Sequence, residues 1–205
     1  MRLHTVIVSY NRRDLLQRTV ESYLATVTVP YSLMIVDNGS AHTTIDYLRD
    51  LKTEGVHIME LGRNRWPGPA CNIGFGVAPP QSKHLHRSDS DMEYLPGWCE
   101  EVQERFADET VGQVGLRTDE EENHTELNVG GTAIFRRELW DAGLRYREDS
   151  WRVLGTMTED YWISVAVTEM GWRWTRVQRP CVIHTATGDL TDPYYRRSYG
   201  VRGIA

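Results

Sequence analysis

The first 61 residues alternate strand-like and helix-like patterns, and this alternation limits the fold more than any other feature. Leu3–Ser9 is β-branched and apolar and predicts a buried strand, and Tyr31–Val36 and Val56–Leu61 predict two further strands. Apolar residues recur at helical spacing up to residue 27 and again over 43–52, which predicts a helix in each connection. A β-α-β-α-β order is typical of a Rossmann-like α/β fold, with a mostly parallel central sheet and helices on its faces.

Polar clusters follow the predicted strands. They are Ser9-Tyr10-Asn11, Asp37-Asn38-Gly39-Ser40, Gly62-Arg63-Asn64 and the acidic turn Asp89-Ser90-Asp91. Ligands of parallel sheets bind at the carboxyl ends of the strands. We therefore expect these four clusters to form one edge of the sheet and to line a binding site.

The acidic turn predicts a metal site. Side chains alternate along an extended backbone, so Asp89 and Asp91 can lean to the same side of the strand end. Two ionised carboxylates so close repel each other unless a cation lies beside them. Mg²⁺ or Mn²⁺ would remove that cost and leave coordination positions for phosphate oxygens. The alternative is a polar turn with solvated acids.

Residues 63–76 are rich in glycine, proline and asparagine, and a short helix is expected from about Pro69. Glycine lets backbone N–H groups approach a phosphate, but the same composition also suits a purely structural loop. Asn11 is the expected N-cap of the first helix. Thr158 is expected to cap a helix over 161–170, which places Glu159 and Asp160 in or next to its first turn.

The rest of the chain predicts a helix from Pro96, with Trp98, Val102 and Phe106 on one face. Further strands are expected over 111–116, 132–135 and 174–183, with a short helix over 137–142. The acidic run 119–122 suggests a solvated loop.

Length and composition favour one domain in a reduced, cytoplasmic setting, with a peripheral position at a membrane as the alternative. The chain has 205 residues and a net charge of -6, which disfavours broad nonspecific nucleic-acid binding. Three scattered cysteines suggest neither a disulfide framework nor a zinc site. No apolar run reaches the ~20 residues of a transmembrane span, and the start of the chain lacks a signal-peptide core.

The order of the motifs resembles family 2 glycosyltransferases with the GT-A fold. The motifs are TVIVSYNRRDLLQRTVESYL, IVDNGS, NRWPGPACNIGF, DSD, TED and finally His184. The resemblance covers about residues 3–184. It implies a single catalytic domain with a nucleotide-sugar half at 1–115, an acceptor and catalytic-base half at 116–190 and a tail at 191–205.

The resemblance also implies an inverting transfer of a sugar from a nucleotide-diphosphate sugar, with UDP as the expected nucleotide and Mn²⁺ or Mg²⁺ as cofactor. Asp160 would be the catalytic base, with Glu159 as its substitute. Asp91, His184 and Asp89 would hold the metal. The donor would be lined by Ser9, Tyr10, Asn11, Arg13, Asp37, Asn38, Asn64, Gly68, Asn72, Asp89 and Ser90.

Three features depart from the family pattern. Asn38 stands where many relatives have a second aspartate, which puts its contact with the nucleobase in doubt. The segment before the acidic turn, HLHRS, is unusually polar, so Arg87 either reaches the donor phosphates or marks an exposed edge. The QxxRW motif of processive membrane synthases is absent, which implies a single transfer.

Two other functions remain open at this point. One is a sugar-phosphate nucleotidyltransferase, although no glycine-rich loop follows the first strand. The other is a non-catalytic nucleotide-sugar-binding domain. The acceptor is expected to be a saccharide or a lipid carrier. A nucleic acid, including a modified base, is the alternative, because the tail carries Tyr195, Arg196, Arg197, Tyr199 and Arg202.

Overall fold

The computed structural model describes residues 1–51, 53–118, 132–148 and 159–185. Eight strands lie in this part of the chain: β1 (Leu3–Ser9), β2 (Tyr31–Asp37), β3 (Val56–Glu60), β4 (His84–Asp89), β5 (Met92–Tyr94), β6 (Val111–Thr118), β7 (Ala133–Arg136) and β8 (Arg173–His184). The helices described are α1 (Arg13–Thr26), α2 (His42–Asp50), α3 (Pro67–Gly76), α4 (Trp98–Phe106), α5 (Arg137–Asp141) and α6 (Glu159–Glu169). The acidic run 119–122, Thr158 and the tail lie outside the described residues.

The described strands form one sheet in the order β3-β2-β1-β4-β7-β6-β8-β5. The α/β fold is confirmed, and the pairings from β3 to β4 are all parallel. The second half of the sheet is mixed, since β7 runs antiparallel to both β4 and β6, and β5 runs antiparallel to β8. The parallel half thus brings the carboxyl ends of its strands to one edge of the sheet, and the mixed half adds later segments of the chain.

The sheet is covered on both faces, which explains why β1 is buried along its whole length. Leu3 and Ile7 pack with α1, α2 and α4 on one face, while Val6 and Val8 pack with α3, α5 and α6 on the other. The predicted faces of α1 and α4 are confirmed, because Leu16 and Val20 are buried in the first cluster with Trp98.

The cysteines and the lengths of the helices can also be described for this part of the chain. The three cysteines are free thiols, each of them buried. No described helix is both long enough and apolar enough to cross a bilayer.

Candidate active site

The carboxyl ends of β1, β2 and β4 meet at one edge of the sheet. Ser9 is in register with Asp37, and Val8 is in register with Asp89. Three of the four predicted polar clusters therefore lie side by side, because neighbouring parallel strands end at the same level. The fourth cluster follows β3, whose Glu60 pairs with Asp37.

Asp37 shapes the turn after β2 and leaves one oxygen unpaired. Its Oδ2 accepts hydrogen bonds from the backbone N–H groups of Gly39 and Ser40, both at 3.1 Å. The residue is only 1% exposed, and its Oδ1 has no hydrogen-bond partner among the described residues. The Oγ of buried Ser9 is in the same situation. A buried acceptor without a donor is costly, so Asp37 Oδ1 is suited to a ligand N–H group.

Asn11 ties the turn after β1 to the turn after β2. Its backbone N–H donates to Ser40 Oγ at 2.8 Å, and its Oδ1 accepts from the backbone N–H of Ala41 at 2.8 Å. The prediction that Asn11 caps α1 is wrong, because Arg12 precedes the helix and no side chain caps it. Asn11 and Arg12 both adopt left-handed backbone conformations, with φ of 59° and 57°. Such a backbone is unfavourable for arginine and is characteristic of functional sites.

Two other predicted donor residues flank this turn. Tyr10 directly follows β1 and is half-buried. Arg13 begins α1, where it pairs with exposed Asp14 at 2.8 Å and lies 5.5 Å from the ring of Tyr47 on α2. Arg13 is therefore engaged on the outer side of α1, and its donor contact stays a prediction.

Asn38 holds the loop that follows β3. Its Nδ2 donates to Asn64 Oδ1 at 3.1 Å, and its Oδ1 accepts from the backbone N–H of Arg65 at 2.8 Å. Asn64 Oδ1 also accepts from the backbone N–H of Trp66 at 2.8 Å. An aspartate at position 38 would set two acceptors against each other, which gives a physical reason for asparagine here.

Gly68 and Asn72 contact a later segment of the chain. The amide of Asn72 donates to the carbonyl of Tyr146 at 2.8 Å and accepts from its N–H at 2.9 Å. A Cβ on Gly68 would lie 3.1 Å from the Cβ of Tyr146. These contacts favour the structural interpretation of the loop, and a role of either residue in the donor pocket stays a prediction.

Asp91 lies between the side chains of Arg12 and His184. Arg12 Nη1 donates to its Oδ2 at 3.0 Å, and His184 Nε2 lies 3.3 Å from the same oxygen. Thr185 donates from both its N–H and its hydroxyl to the carbonyl of Asp91, at 2.9 and 2.8 Å, which fixes the end of β8 against the acidic turn. Although burial opposes it, the bond from His184 and the charge of Arg12 hold the pKa of Asp91 below its ordinary value.

Asp89 and Asp91 contact different side chains, and their sharing of one metal ion stays a prediction. Asp89 Oδ1 accepts from Arg87 Nη2 at 3.0 Å, whereas Asp91 faces Arg12 and His184. Ser90 forms the turn between them. Burial raises the pKa of Asp89 to about 6, and the Asp91 charge acts in the same direction.

Arg87 connects the acidic turn to α6. It is 2% exposed, so the prediction of an exposed edge is wrong. Its Nη1 donates to Asp160 Oδ1, and its Nη2 donates to Glu159 Oε1 at 3.0 Å as well as to Asp89. Burial raises the pKa of Asp160 well above the ordinary carboxyl range, although the Arg87 charge opposes the shift. Asp160, Glu159 and Asp89 therefore lie around one guanidinium.

Sequence reasoning missed Arg12 and Tyr146 as parts of the site, and it did not link Arg87 to the three carboxylates. The signal for Arg87 was its spacing from Asp89, because residues i and i+2 of a strand face the same side. Nothing local to the sequence shows that Arg12 takes a left-handed backbone or that Tyr146 lies beside Arg87.

Comparison with known proteins decides the family. Residues 5–173 match glycosyl transferase family 2. The chain belongs to this family. It is 32% identical over 111 residues to the succinoglycan biosynthesis protein ExoO of Rhizobium meliloti, a match that covers 54% of the chain and 31% of ExoO.

Solved structures of glycosyltransferases share the GT-A fold of this family 2 chain. One is the mannosyltransferase PcManGT of Pyrobaculum calidifontis in complex with GDP-Man and Mn²⁺, with a TM-score of 0.77 and 18% identity over 96% of the chain and 60% of PcManGT. Another is S. aureus TarS 1–349 in complex with UDP-GlcNAc, with a TM-score of 0.69 and 14% identity over 91% of the chain and 61% of that protein. The chain thus spans about a third of ExoO and about 60% of these structures.

Proposed function

We propose that this family 2 chain is an inverting glycosyltransferase that moves a sugar from a nucleotide-diphosphate sugar to an acceptor hydroxyl. One observation carries the proposal: Asp160 and Asp89 bind the same guanidinium, that of Arg87. The proposed base therefore lies beside the acidic turn that would hold the donor. In an enzyme of this class, the attacking hydroxyl and the leaving diphosphate must meet at one sugar carbon.

Asp37 is the residue that supports binding of the nucleotide part of the donor. Its buried, unpaired Oδ1 supports recognition of an N–H group on a nucleobase, such as the imide of uracil. UDP is the expected nucleotide, and UDP-GlcNAc is bound to one structural relative. GDP-Man is bound to another, so a guanine donor belongs in the same test.

A divalent metal fits the residues beside the acidic turn. Asp91 supplies a carboxylate, and His184 supplies an imidazole 3.3 Å from it. No group of three such side chains occurs in the described ranges, so diphosphate oxygens and water would complete the coordination. Mn²⁺ is bound to one structural relative. When bound, the metal would stabilise the negative charge that gathers on the leaving diphosphate.

Asp160 is the proposed general base. The acceptor hydroxyl loses its proton as its oxygen attacks the anomeric carbon, and a carboxylate within hydrogen-bond reach can take that proton. A pKa raised by burial makes Asp160 a stronger proton acceptor. Attack opposite the leaving diphosphate inverts the anomeric centre, and no second carboxylate is needed as a nucleophile.

A saccharide, free or on a lipid carrier, is the proposed acceptor. The similarity to a succinoglycan biosynthesis protein supports it, although the chain spans only part of that protein. The tail that could bind a nucleic acid lies outside the described residues. Family membership argues against the nucleotidyltransferase alternative, while the non-catalytic alternative is left to experiment.

A donor screen tests the proposal. UDP-glucose, UDP-GlcNAc and GDP-mannose are incubated with the protein in Mn²⁺, Mg²⁺ or EDTA, and release of the nucleoside diphosphate is followed. We expect one donor to be turned over with metal and not with EDTA, and the anomeric configuration of the released sugar or glycoside to be inverted by NMR. Metal-dependent binding of a donor without turnover, with a panel of saccharide acceptors present, would instead indicate a binding domain.

A further inference from the structure

Arg87 lies at the centre of the site without access to solvent. It is on β4, two residues before Asp89, and neighbours β1 and β7 on either side. A buried cation is costly unless charged partners surround it. Burial opposes the charged state of Arg87, but Asp160, Asp89 and Glu159 outweigh it and raise the pKa of the guanidinium further. Arg87 is therefore the cation that the three carboxylates share.

The ring of Tyr146 packs against the guanidinium of Arg87. The guanidinium carbon atom lies 5.1 Å from the centre of the Tyr146 ring, close enough for a cation–π contact. The side-chain amide of Asn72 fixes the backbone of Tyr146 through two hydrogen bonds, and Gly68 leaves room for the Tyr146 Cβ. Helix α3 thereby sets the position of the Tyr146 ring, which in turn lies against the guanidinium of Arg87.

The partners of Arg87 come from separate parts of the chain. Asp89 ends β4, whereas Glu159 and Asp160 begin α6. Three carboxylates this close repel one another, and one planar guanidinium with two separate donor groups can hold all of them. A lysine ammonium is a single point charge and cannot span the same set equally well.

We propose that Arg87 is a positioning residue that holds Asp160 at the reacting centre by clamping the start of α6 to the acidic turn. The inference rests on the proposed function for its catalytic meaning. Without Arg87, the carboxylates repel, the first turn of α6 moves away, and Asp160 leaves its place. Asp37, Asp91 and His184 have no described bond to Arg87. Asp89 loses its bond to Arg87 but stays at the end of β4, so donor binding should change less than turnover.

The test compares R87M, R87K and Y146L with the wild type in Mn²⁺, using the donor that the screen identifies. Displacing a reacting group by about 1 Å costs on the order of 100-fold in rate. We expect R87M to lower kcat by about that factor, with a donor Kd within threefold of the wild type. R87K should recover part of kcat, and Y146L should lower kcat by a smaller factor than R87M.

R136M is the matched control. Arg136 binds the backbone carbonyls of Phe106, Asp108 and Val111, and its described contacts include none of the three carboxylates. Its loss should lower the melting temperature and leave kcat within threefold of the wild type. If R87M keeps kcat within threefold, or if R136M lowers kcat as much as R87M does, Arg87 is a structural residue only.

A second measurement does not depend on turnover. Hydrogen exchange of the α6 backbone is compared between the ligand-free wild type and R87M. We expect exchange in the first two turns of α6 to rise at least about tenfold in R87M, while exchange in α1 stays unchanged. Equal exchange in α6 of R87M and the wild type would overturn the proposed role of Arg87, even if no nucleotide sugar is turned over. Faster exchange in R87M, without turnover by the wild type, would support that role and reject the proposed enzyme activity.

Discussion

Asp37, Asp91 and Asp160 have the same side chain in three different surroundings. Asp37 uses one oxygen for its turn and keeps the other unpaired. Asp91 faces Arg12 and His184, which lower its pKa against the effect of burial, and Asp160 has a pKa raised by burial. The first environment suits an acceptor for a ligand N–H group, the second suits a metal ligand, and the third suits a base.

Asp37→Asn tests the first of these roles. The asparagine oxygen can keep the two turn bonds, and its NH₂ group then replaces the unpaired Oδ1. The N–H group of the nucleobase would then face a second hydrogen-bond donor instead of an acceptor. Losing a hydrogen bond to a charged group costs roughly 1.5–3 kcal/mol, or about 10- to 100-fold in nucleotide affinity. Titration calorimetry with UDP and with GDP measures this loss.

Asp46→Asn, on the exposed face of α2, is the control and should leave nucleotide affinity unchanged. The melting temperature of D37N should stay close to that of the wild type, because the turn is preserved. Wild-type affinity in D37N would remove Asp37 from the donor site.

At the scale of elements, α3 packs unusually close to the sheet. A Cβ on Gly74 would lie 2.7 and 2.8 Å from the two methyl groups of Val6 and 3.1 Å from Val36. His4 fixes the same turn, since its Nε2 lies 3.0 Å from the carbonyl of Gly74. The close approach sets the height of α3 over the sheet, and with it the position of Asn72 and Tyr146.

Gly74→Ala should therefore destabilise the protein relative to Gly76→Ala. Both glycines are in α3, but nothing lies within 4 Å of a Cβ at Gly76. Alanine improves helix propensity at either position, so the difference isolates the clash, which costs about 1–3 kcal/mol. Urea unfolding of both variants measures it, and equal stabilities would show that β1 can yield to the added methyl group.

The parallel half of the fold could be predicted from sequence because its signals are local. The strand pattern of β1 and the stripes of α1 and α4 are each visible within a short window. Strand β5 was missed, since three residues carry no periodicity, and its pairing with β8 joins distant parts of the chain. That pairing is also what places His184 beside Asp91.

The same limit applies to the site. The strand-end aspartates could be found by sequence, because parallel strands bring their ends together whatever lies between them. The burial of Arg87 could not, because it depends on β7 and α6, which come from far along the chain and enclose the guanidinium.

Across the whole molecule, a buried polar network joins β1, β4 and the helical layer over one face. His86 Nδ1 lies 3.2 Å from Thr5 Oγ1, and its Nε2 lies 3.2 Å from the hydroxyl of Tyr94. The hydroxyl of Tyr23 also lies 2.7 Å from Thr5 Oγ1. Burial lowers the pKa of His86 to about 3, so the folded protein keeps this ring neutral.

The contribution of His86 to stability should therefore fall as the pH drops below about 6.5, the ordinary histidine pKa. The unfolded chain then binds a proton at His86 that the folded protein does not bind until about pH 3. From pH 7.5 to 5.5, this costs about 1.4 kcal/mol of unfolding free energy. Urea unfolding at both pH values should show that H86F is less stable at pH 7.5 but loses about that much less on acidification.

The change in stability with pH is compared between variants, because other ionisable groups change the stability in the opposite direction. Asp89 and Asp160 have raised pKa values, so the folded protein retains their protons and gains stability as the pH falls. These contributions cancel in the difference. His57→Phe, which removes an exposed histidine of β3, is the control. An H86F slope equal to that of the wild type would show that His86 is protonated in the folded state.

The central claim is that Asp160 deprotonates the acceptor beside a donor that it does not help to bind. The most direct measurement compares Asp160→Asn with the wild type for donor Kd in Mn²⁺ and for kcat of sugar transfer. Asparagine keeps the shape but cannot take the proton, so we expect kcat to fall by about 100-fold or more and Kd to stay within threefold. A D160N protein that transfers sugar at the wild-type rate would contradict the account.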